Sequence, residues 1–242
     1  HRSRPCCSSR AAGERYERLL RERSGRAPLA YVTGEREFWS LRLAVDARVL
    51  VPRPETETLV EAALARVGGA ARIADLGTGS GAVAIALAVE LPLARLWAVD
   101  RSAAALEVAR GNAATHGVAG RISFLAGDLC GPLASLAGTL DAVVSNPPYV
   151  PTAQIESLQP EVRDHEPRLA LDGGPDGLAV IGRIVAQAPP LLRPGGLLLL
   201  EVGAGQAPAA AALLAGGGAF ETIERLPDLA GIERVVAARR RG

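Results

Sequence analysis

From residue 71 onward, short apolar runs alternate with stretches of helical period, and few residues are left between them. The runs at 71–76 (ARIADL), 94–100 (ARLWAVD), 121–127 (RISFLAG), 140–145 (LDAVVS) and 196–202 (GLLLLEV) read as strands. Residues 82–90, 103–116, 176–188 and 206–215 read as helices, with Pro92 ending the first and Ser102 capping the second. Strands joined by helices require a parallel sheet with right-handed crossovers and helices on both faces. Two more strands, near 219–224 and 232–238, have only ERLPDLAG between them. A crossover helix does not fit there, so these two are expected as an antiparallel pair. The expected fold class is α/β: a seven-stranded sheet, mostly parallel, with an antiparallel last strand.

Ahead of this unit the pattern is looser. Residues 1–13 read as disordered, and 14–25 as a helix ended by Gly25, whose face of Tyr16, Leu19 and Leu20 one short helix cannot bury alone. Alternation across 38–51 (FWSLRLAVDARVLV) predicts a β-hairpin turning at Asp46-Ala47, which Pro52 and Pro54 stop. A helix is expected over 55–67, with acids in its first turn and Gly68 and Gly69 behind it. The chain thus divides into an N-terminal segment (1–25), a linker with a hairpin (26–54) and a main domain (55–242).

Composition narrows the function classes. A chain of 242 residues with 48% hydrophobic and 22% charged residues has enough material for a full core. Aromatics are only 3%, so Ala and Leu must fill most of it. No apolar run is long enough to span a bilayer, and the N-terminus lacks the apolar stretch of a secretory signal. There is no Met, so the chain is expected to start after processing or to be part of a longer product. Cys6, Cys7 and Cys130 make no disulfide framework, and His1, His116 and His165 offer no zinc-like spacing, so neither disulfides nor a metal is expected. All 27 basic residues are Arg; residues 27–238 carry 16 Arg against 23 acids, a net charge of −7. So acidic a body is a poor surface for duplex DNA, and neither DNA binding nor a membrane is expected.

Three signals fall where an open parallel sheet binds ligands, beyond the carboxyl ends of its strands. The first is DLGTGSG, in which Gly77, Thr78, Gly79, Ser80 and Gly81 form a tight turn from strand to helix. Such a loop suits NAD, FAD or S-adenosylmethionine alike. The second is Asp100, closing the second strand, where a carboxylate can accept both hydroxyls of a ribose. The third is Asn146-Pro147-Pro148-Tyr149 after the fourth strand. The prolines stiffen the backbone, so that the Asn146 side chain and the carbonyls near Asn146 and Pro147 form a pair of acceptors for a planar NH₂ group, with Tyr149 as a flat surface beside it. Hydride transfer has no use for such a clamp. Asp128 and Leu129, after the third strand, are expected beside an adenine, and Glu201 to line the cleft or to accept backbone hydrogen bonds. His116 reads as a helix-end residue, and nothing around His165 suggests a base.

These residues closely resemble the protein-(glutamine-N5) methyltransferases that modify peptide chain release factors, a branch of the class I S-adenosylmethionine-dependent methyltransferases. The resemblance covers about residues 26–238: RAPLAYVTGEREF, VLVPRPETE, DLGTGSG, SNPPYV, EPRLALDGGPDGL, PGGLLLLEVG and DLAGIERVV. It implies the Rossmann-like class I methyltransferase sheet, S-adenosyl-L-methionine as cofactor and S-adenosyl-L-homocysteine as product. It implies the glutamine of a GGQ tripeptide in a release factor as target, a monomer, and a cytoplasmic, bacterial setting or, as an alternative, an organellar matrix. Cofactor contacts would come from Gly77, Thr78, Gly79, Ser80, Gly81, Asp100, Asp128, Leu129 and Asn146. The glutamine would lie against Asn146, Pro147, Pro148 and Tyr149, with Asn146, Pro147 and Tyr149 as catalytic residues and Arg53 and Glu57 near the substrate side. Members carry an N-terminal helical domain that engages the release factor, of which residues 1–25 would be a remnant. A nucleic-acid adenine-N6 or guanine-N2 methyltransferase and a non-catalytic release-factor or ribosome partner stand as the alternatives.

Overall fold

The computed structural model describes residues 7–242. Helix α1 (Cys7–Ser24) and the short α2 (Leu29–Thr33) precede a two-stranded hairpin, β1 (Glu35–Phe38) and β2 (Leu41–Ala44). Then come α3 (Glu57–Leu64), β3 (Arg72–Leu76), α4 (Ala82–Glu90), β4 (Arg95–Asp100), α5 (Ala103–Thr115), β5 (Ile122–Ala126) and β6 (Leu140–Ser145). The chain continues through α6 (Pro160–Arg163), α7 (Ala179–Gln187), β7 (Leu192–Glu201), α8 (Ala207–Gly216), β8 (Phe220–Pro227) and β9 (Glu233–Arg240). The large sheet has the order β5-β4-β3-β6-β7-β9-β8. All its pairings are parallel except those of β9, which runs antiparallel to both neighbours.

Both faces of the sheet are dry, which is why the central strands read as largely apolar runs rather than alternating. Ile73, Ala142, Val144, Leu197 and Leu199 point to the face covered by α3 and α4. Ala74, Val143, Leu198 and Leu200 point to the other, against Ile181 and Ile184 of α7 and Leu214 of α8. Helix α4 is buried along residues 82–88, and its small side chains let it sit between the sheet and its neighbours with little aromatic bulk. Only edge strand β8 is mostly exposed, and it carries Glu221, Glu224 and Arg225, charges that discourage edge-to-edge pairing. Among the described residues, no helix is long and apolar enough to cross a membrane.

Three expectations need correction. The hairpin does not turn at Asp46-Ala47: it turns at Trp39-Ser40, whose φ values are 53° and 57°, and Val49–Val51 pairs with nothing in it. Two left-handed residues make the tight turn that suits a twisted hairpin, but that turn normally advertises itself with Asn or Gly. Here Trp39 is held in place instead by Glu57 Oε1, which accepts its main-chain N–H at 2.8 Å, and by Glu90 Oε1, which accepts its indole N–H at 2.8 Å. The expected helix over 55–67 is a turn of 3₁₀ helix followed by α3, which ends at Leu64. Residues 7–13, expected as disordered, belong to α1. The disorder expected of residues 1–6 lies outside the described residues.

Candidate active site

The sheet order reverses at β3: the chain winds outward through β4 and β5, then returns to place β6 on the other side. The C-terminal ends of β3 and β6 therefore border a crevice that no crossover covers. A cleft opens there, lined by Gly77, Thr78, Gly79, Ser80, Asp100, Asp128, Leu129, Asn146 and Pro148. The two sequence motifs from β3 and β6 thus meet across one space.

The loop after β3 is glycine-rich for a visible reason. Gly77, Gly79 and Gly81 have φ of 73°, 55° and 84°, and a Cβ on Gly81 would stand 2.9 Å from Ile85 Cδ1. Four of the five loop N–H groups are used internally: Gly77 and Thr78 donate to Val99 O, Gly81 to Thr78 O, and Gly79 to Asp100 Oδ2 at 2.9 Å. A phosphate cradle needs such N–H groups free and pointing outward. This loop is instead a closed backbone surface with a carboxylate at its edge. Asp100 Oδ1 accepts from Ser102 N at 2.9 Å, so each oxygen spends one lone pair on the backbone and keeps further acceptor capacity on the cleft side. Beneath the loop, Thr78 Oγ1 donates to the buried Asp75 at 2.7 Å, and burial pushes that carboxyl up to about 6.

Asp128 stands on the rim with both oxygens engaged by arginines, Arg183 through a hydrogen bond and Arg101 at 3.6 Å. Leu129, at φ 47°, turns its side chain into the core beside the cleft. The four arginines that line the cleft all face carboxylates: Arg48 with Asp46, Arg53 with Glu166, and Arg101 and Arg183 with Asp128. A nucleic-acid phosphate would find no unpaired arginine there.

After β6, Asn146 Nδ2 donates to Thr56 Oγ1 at 3.0 Å, while Asn146 Oδ1 takes no hydrogen bond from the described residues. Pro148 also reaches the cleft wall. Pro147 is buried instead, and the Tyr149 hydroxyl points to the end of β7, donating to Glu201 Oε1 at 3.4 Å. Tyr149 is thus no flat platform in the cleft: burial, then Glu201, push its hydroxyl above the ordinary tyrosine range. Glu201 itself is 1% exposed and does not line the cleft, and burial pushes its carboxyl up to about 7.

The segment from Pro160 to Leu178 forms the outer wall. Val150 bridges Asp172, and Gly173 and Gly177 pack directly on the backbone of Pro148 and Tyr149, where a Cβ would stand within 2.8 Å. Arg53 Nη2 reaches both oxygens of the buried Glu166 at 2.7 and 2.9 Å, tying the Pro52–Thr56 stretch to this wall. Burial raises the Glu166 carboxyl, and Arg53 opposes it. Arg53 and Thr56 line the cleft, whereas Glu57 is turned away, accepting from Trp39. His116 and His165 face the main-chain carbonyls of Arg42 and Gly25, outside the cleft. Cys130 is buried, and its thiol is pushed up to about 11.

Sequence reasoning missed Thr56, Glu166 and Asn112. Asn112 is 2% exposed and joins three elements: Nδ2 donates to Ser80 O and Ala44 O, and Oδ1 accepts from Ala44 N. Its only sequence signal is an amide among alanines in the middle of α5, which an apolar face does not explain.

Residues 54–162 match the family described as the methyltransferase small domain. The release factor glutamine methyltransferase of Moorella thermoacetica is 48% identical over 233 residues, covering 96% of this chain and 81% of that protein. That of Gloeobacter violaceus is 48% identical over 226 residues, covering 92% and 78%. Among solved structures, the O-methyltransferase TomG of Streptomyces achromogenes in complex with SAM superposes with a TM-score of 0.54 at 20% identity, over 80% of this chain and 82% of that one.

Proposed function

The chain belongs to the release factor glutamine methyltransferase family, and we propose that it transfers a methyl group from S-adenosyl-L-methionine to the side-chain amide nitrogen of the glutamine in the GGQ tripeptide of a release factor. The observation that carries this reading is Asn146: its NH₂ is held by Thr56, which leaves its carbonyl oxygen as an acceptor beside the glycine loop.

The donor set fits the cofactor. A loop with its N–H groups closed off and a carboxylate with spare acceptor capacity suit a ribose rather than a diphosphate. Leu129, Ala105 and Val180 supply an apolar wall for a flat base, with Asp128 at its edge. When bound, S-adenosylmethionine supplies an electrophilic methyl on a sulfonium.

The protein's part is to hold the amide. An amide nitrogen is a weak nucleophile because its lone pair is shared with the carbonyl. Asn146 Oδ1 accepts one N–H of the glutamine, and we assign the main-chain carbonyl of Pro147 as the second acceptor. Together they turn the nitrogen toward the methyl and stabilise the positive charge that develops on it. No base is required for this, since the methylated cationic amide loses its proton readily. A glutamine flanked by glycines can enter the cleft beside Asn146 and Pro148, across from Arg53, Pro167 and Leu169, which line it as well.

The test is methyl transfer from labelled S-adenosylmethionine to a bacterial release factor, beside the same factor with GGQ changed to GGA. Label is expected on the first and not the second. Equal label on both, or label only on added RNA, would sink the reading.

A further inference from the structure

Glu201 is a buried carboxyl that the reaction described above does not use. It ends β7, is 1% exposed, and its Oε2 has no hydrogen-bond partner. A carboxylate placed there is destabilising by itself. Its neighbours are the clue. Tyr149, which follows the Asn146 clamp, donates to Oε1, and the Thr56 hydroxyl, which accepts from Asn146 Nδ2, favours the charged form of Glu201 through hydrogen bonding.

A threonine hydroxyl has one proton and two lone pairs. Thr56 can meet Asn146 in two ways. It can accept from Nδ2 and send its own proton elsewhere, or it can donate to Oδ1 with the amide turned over. The second arrangement would face a substrate NH₂ with another NH₂. What selects the first is an acceptor that draws the Thr56 proton away.

We propose that Glu201 is a positioning residue: as a carboxylate it takes the Thr56 proton, and Thr56 in turn locks Asn146 with its Oδ1 toward the cleft. The proposal rests on Asn146 being the acceptor for the substrate amide. Protonated Glu201 becomes a donor and removes the bias, so that the amide loses its fixed sense. The charges facing Glu201 are Arg234 from β9, which favours the carboxylate, and Glu55 from the turn before α3, which opposes it. Burial outweighs both and pushes the carboxyl up to about 7. The ionised form is the competent one, so kcat falls as pH drops through that value.

The experiment measures kcat, and KM for both substrates, against pH for wild type, Glu201→Gln, Thr56→Val, the double variant and Tyr149→Phe. Wild type is expected to show an acid limb centred near 7. Glu201→Gln should lose about tenfold in kcat, what one hydrogen bond is worth, and the limb with it, while KM for S-adenosylmethionine stays unchanged. Thr56→Val should cost a similar factor, and the double variant no more than either single one. Tyr149→Phe removes a donor that stabilises the carboxylate, so its limb should persist and move to higher pH. Melting temperatures identify any variant that fails to fold, and the Tyr149→Phe shift then decides the matter. A limb of unchanged midpoint in Glu201→Gln, or losses that multiply in the double variant, would overturn the proposal alone. A wild-type enzyme that labels no release factor at any pH would instead overturn the assignment of the reaction, and this proposal with it.

Discussion

Asp100 shows how one side chain joins structure to function. Its two oxygens fix the loop at Gly79 and the start of α5 at Ser102, while its remaining lone pairs face the cleft. Asp100→Ala should therefore weaken S-adenosylmethionine binding by about a hundredfold or more, as expected when two or three hydrogen bonds to a charged group are lost. Titration calorimetry measures this directly; an affinity within a factor of three of wild type would show that the ribose is held elsewhere. Asp100 and Asn146 were legible in the sequence because a strand end beside a glycine loop leaves few places for them to go. Glu201 stood out as a charge ending an apolar strand, but Thr56 and its link to Glu201 did not: a Thr in a helix-start segment and a Glu at a strand end reveal nothing of each other until tertiary contact makes them neighbours. The same contact moved Tyr149 from expected platform to hydrogen-bond partner of Glu201.

The elements follow local rules where the rules are strong. Helix α4 spans 82–90 as expected, because Gly81 gives it a left-handed start and Pro92 ends the register. Gly81 is where that geometry can be tested. An alanine there would hold φ near 84° and press its Cβ on Ile85 and on Ala109 at 3.1 Å. Gly81→Ala should cost about 2–4 kcal/mol, the sum of left-handed strain and overpacking, read from urea unfolding. A loss under about 0.5 kcal/mol would mean the loop relaxes freely. The hairpin is the counter-example. Its turn residues, Trp39 and Ser40, carry no local preference for φ above zero, so the turn exists only because Glu57 and Glu90 hold Trp39 there. A reading limited to local signals places the turn at Asp46-Ala47 instead, where Asp46 does bend the chain but no strand pairs beyond it.

Across the whole molecule, ionisation acts in two directions. The Asp75 and Glu201 carboxyls are raised to about 6 and about 7, so burial contributes most stability below their ordinary values and the contribution is lost as pH rises through those figures. Asp46, Glu161, Asp164, Asp172 and Asp228 are lowered, chiefly by hydrogen bonds to their charged forms, and their contribution is lost as pH falls below the ordinary carboxylate range. Stability should therefore peak between about pH 4 and 6, on the acid side of the pH at which Glu201 supports catalysis. Urea midpoints measured against pH check this; a midpoint that climbs steadily from pH 5 to 8 contradicts it.

Periodicity and glycine placement were enough for the order of strands and helices, the reversal at β9, and the meeting of DLGTGSG, Asp100 and Asn146 at one end of the sheet. Those features depend on neighbours a few residues apart, or on topological rules that all right-handed α/β sheets obey. The orientation of Asn146, the tie from Arg53 to Glu166, and the turn at Trp39-Ser40 depend on residues from 18 to 113 positions apart. Such contacts are satisfied only once the chain has folded, because a buried donor or acceptor takes whichever partner the packing brings to it, and no local pattern encodes that choice.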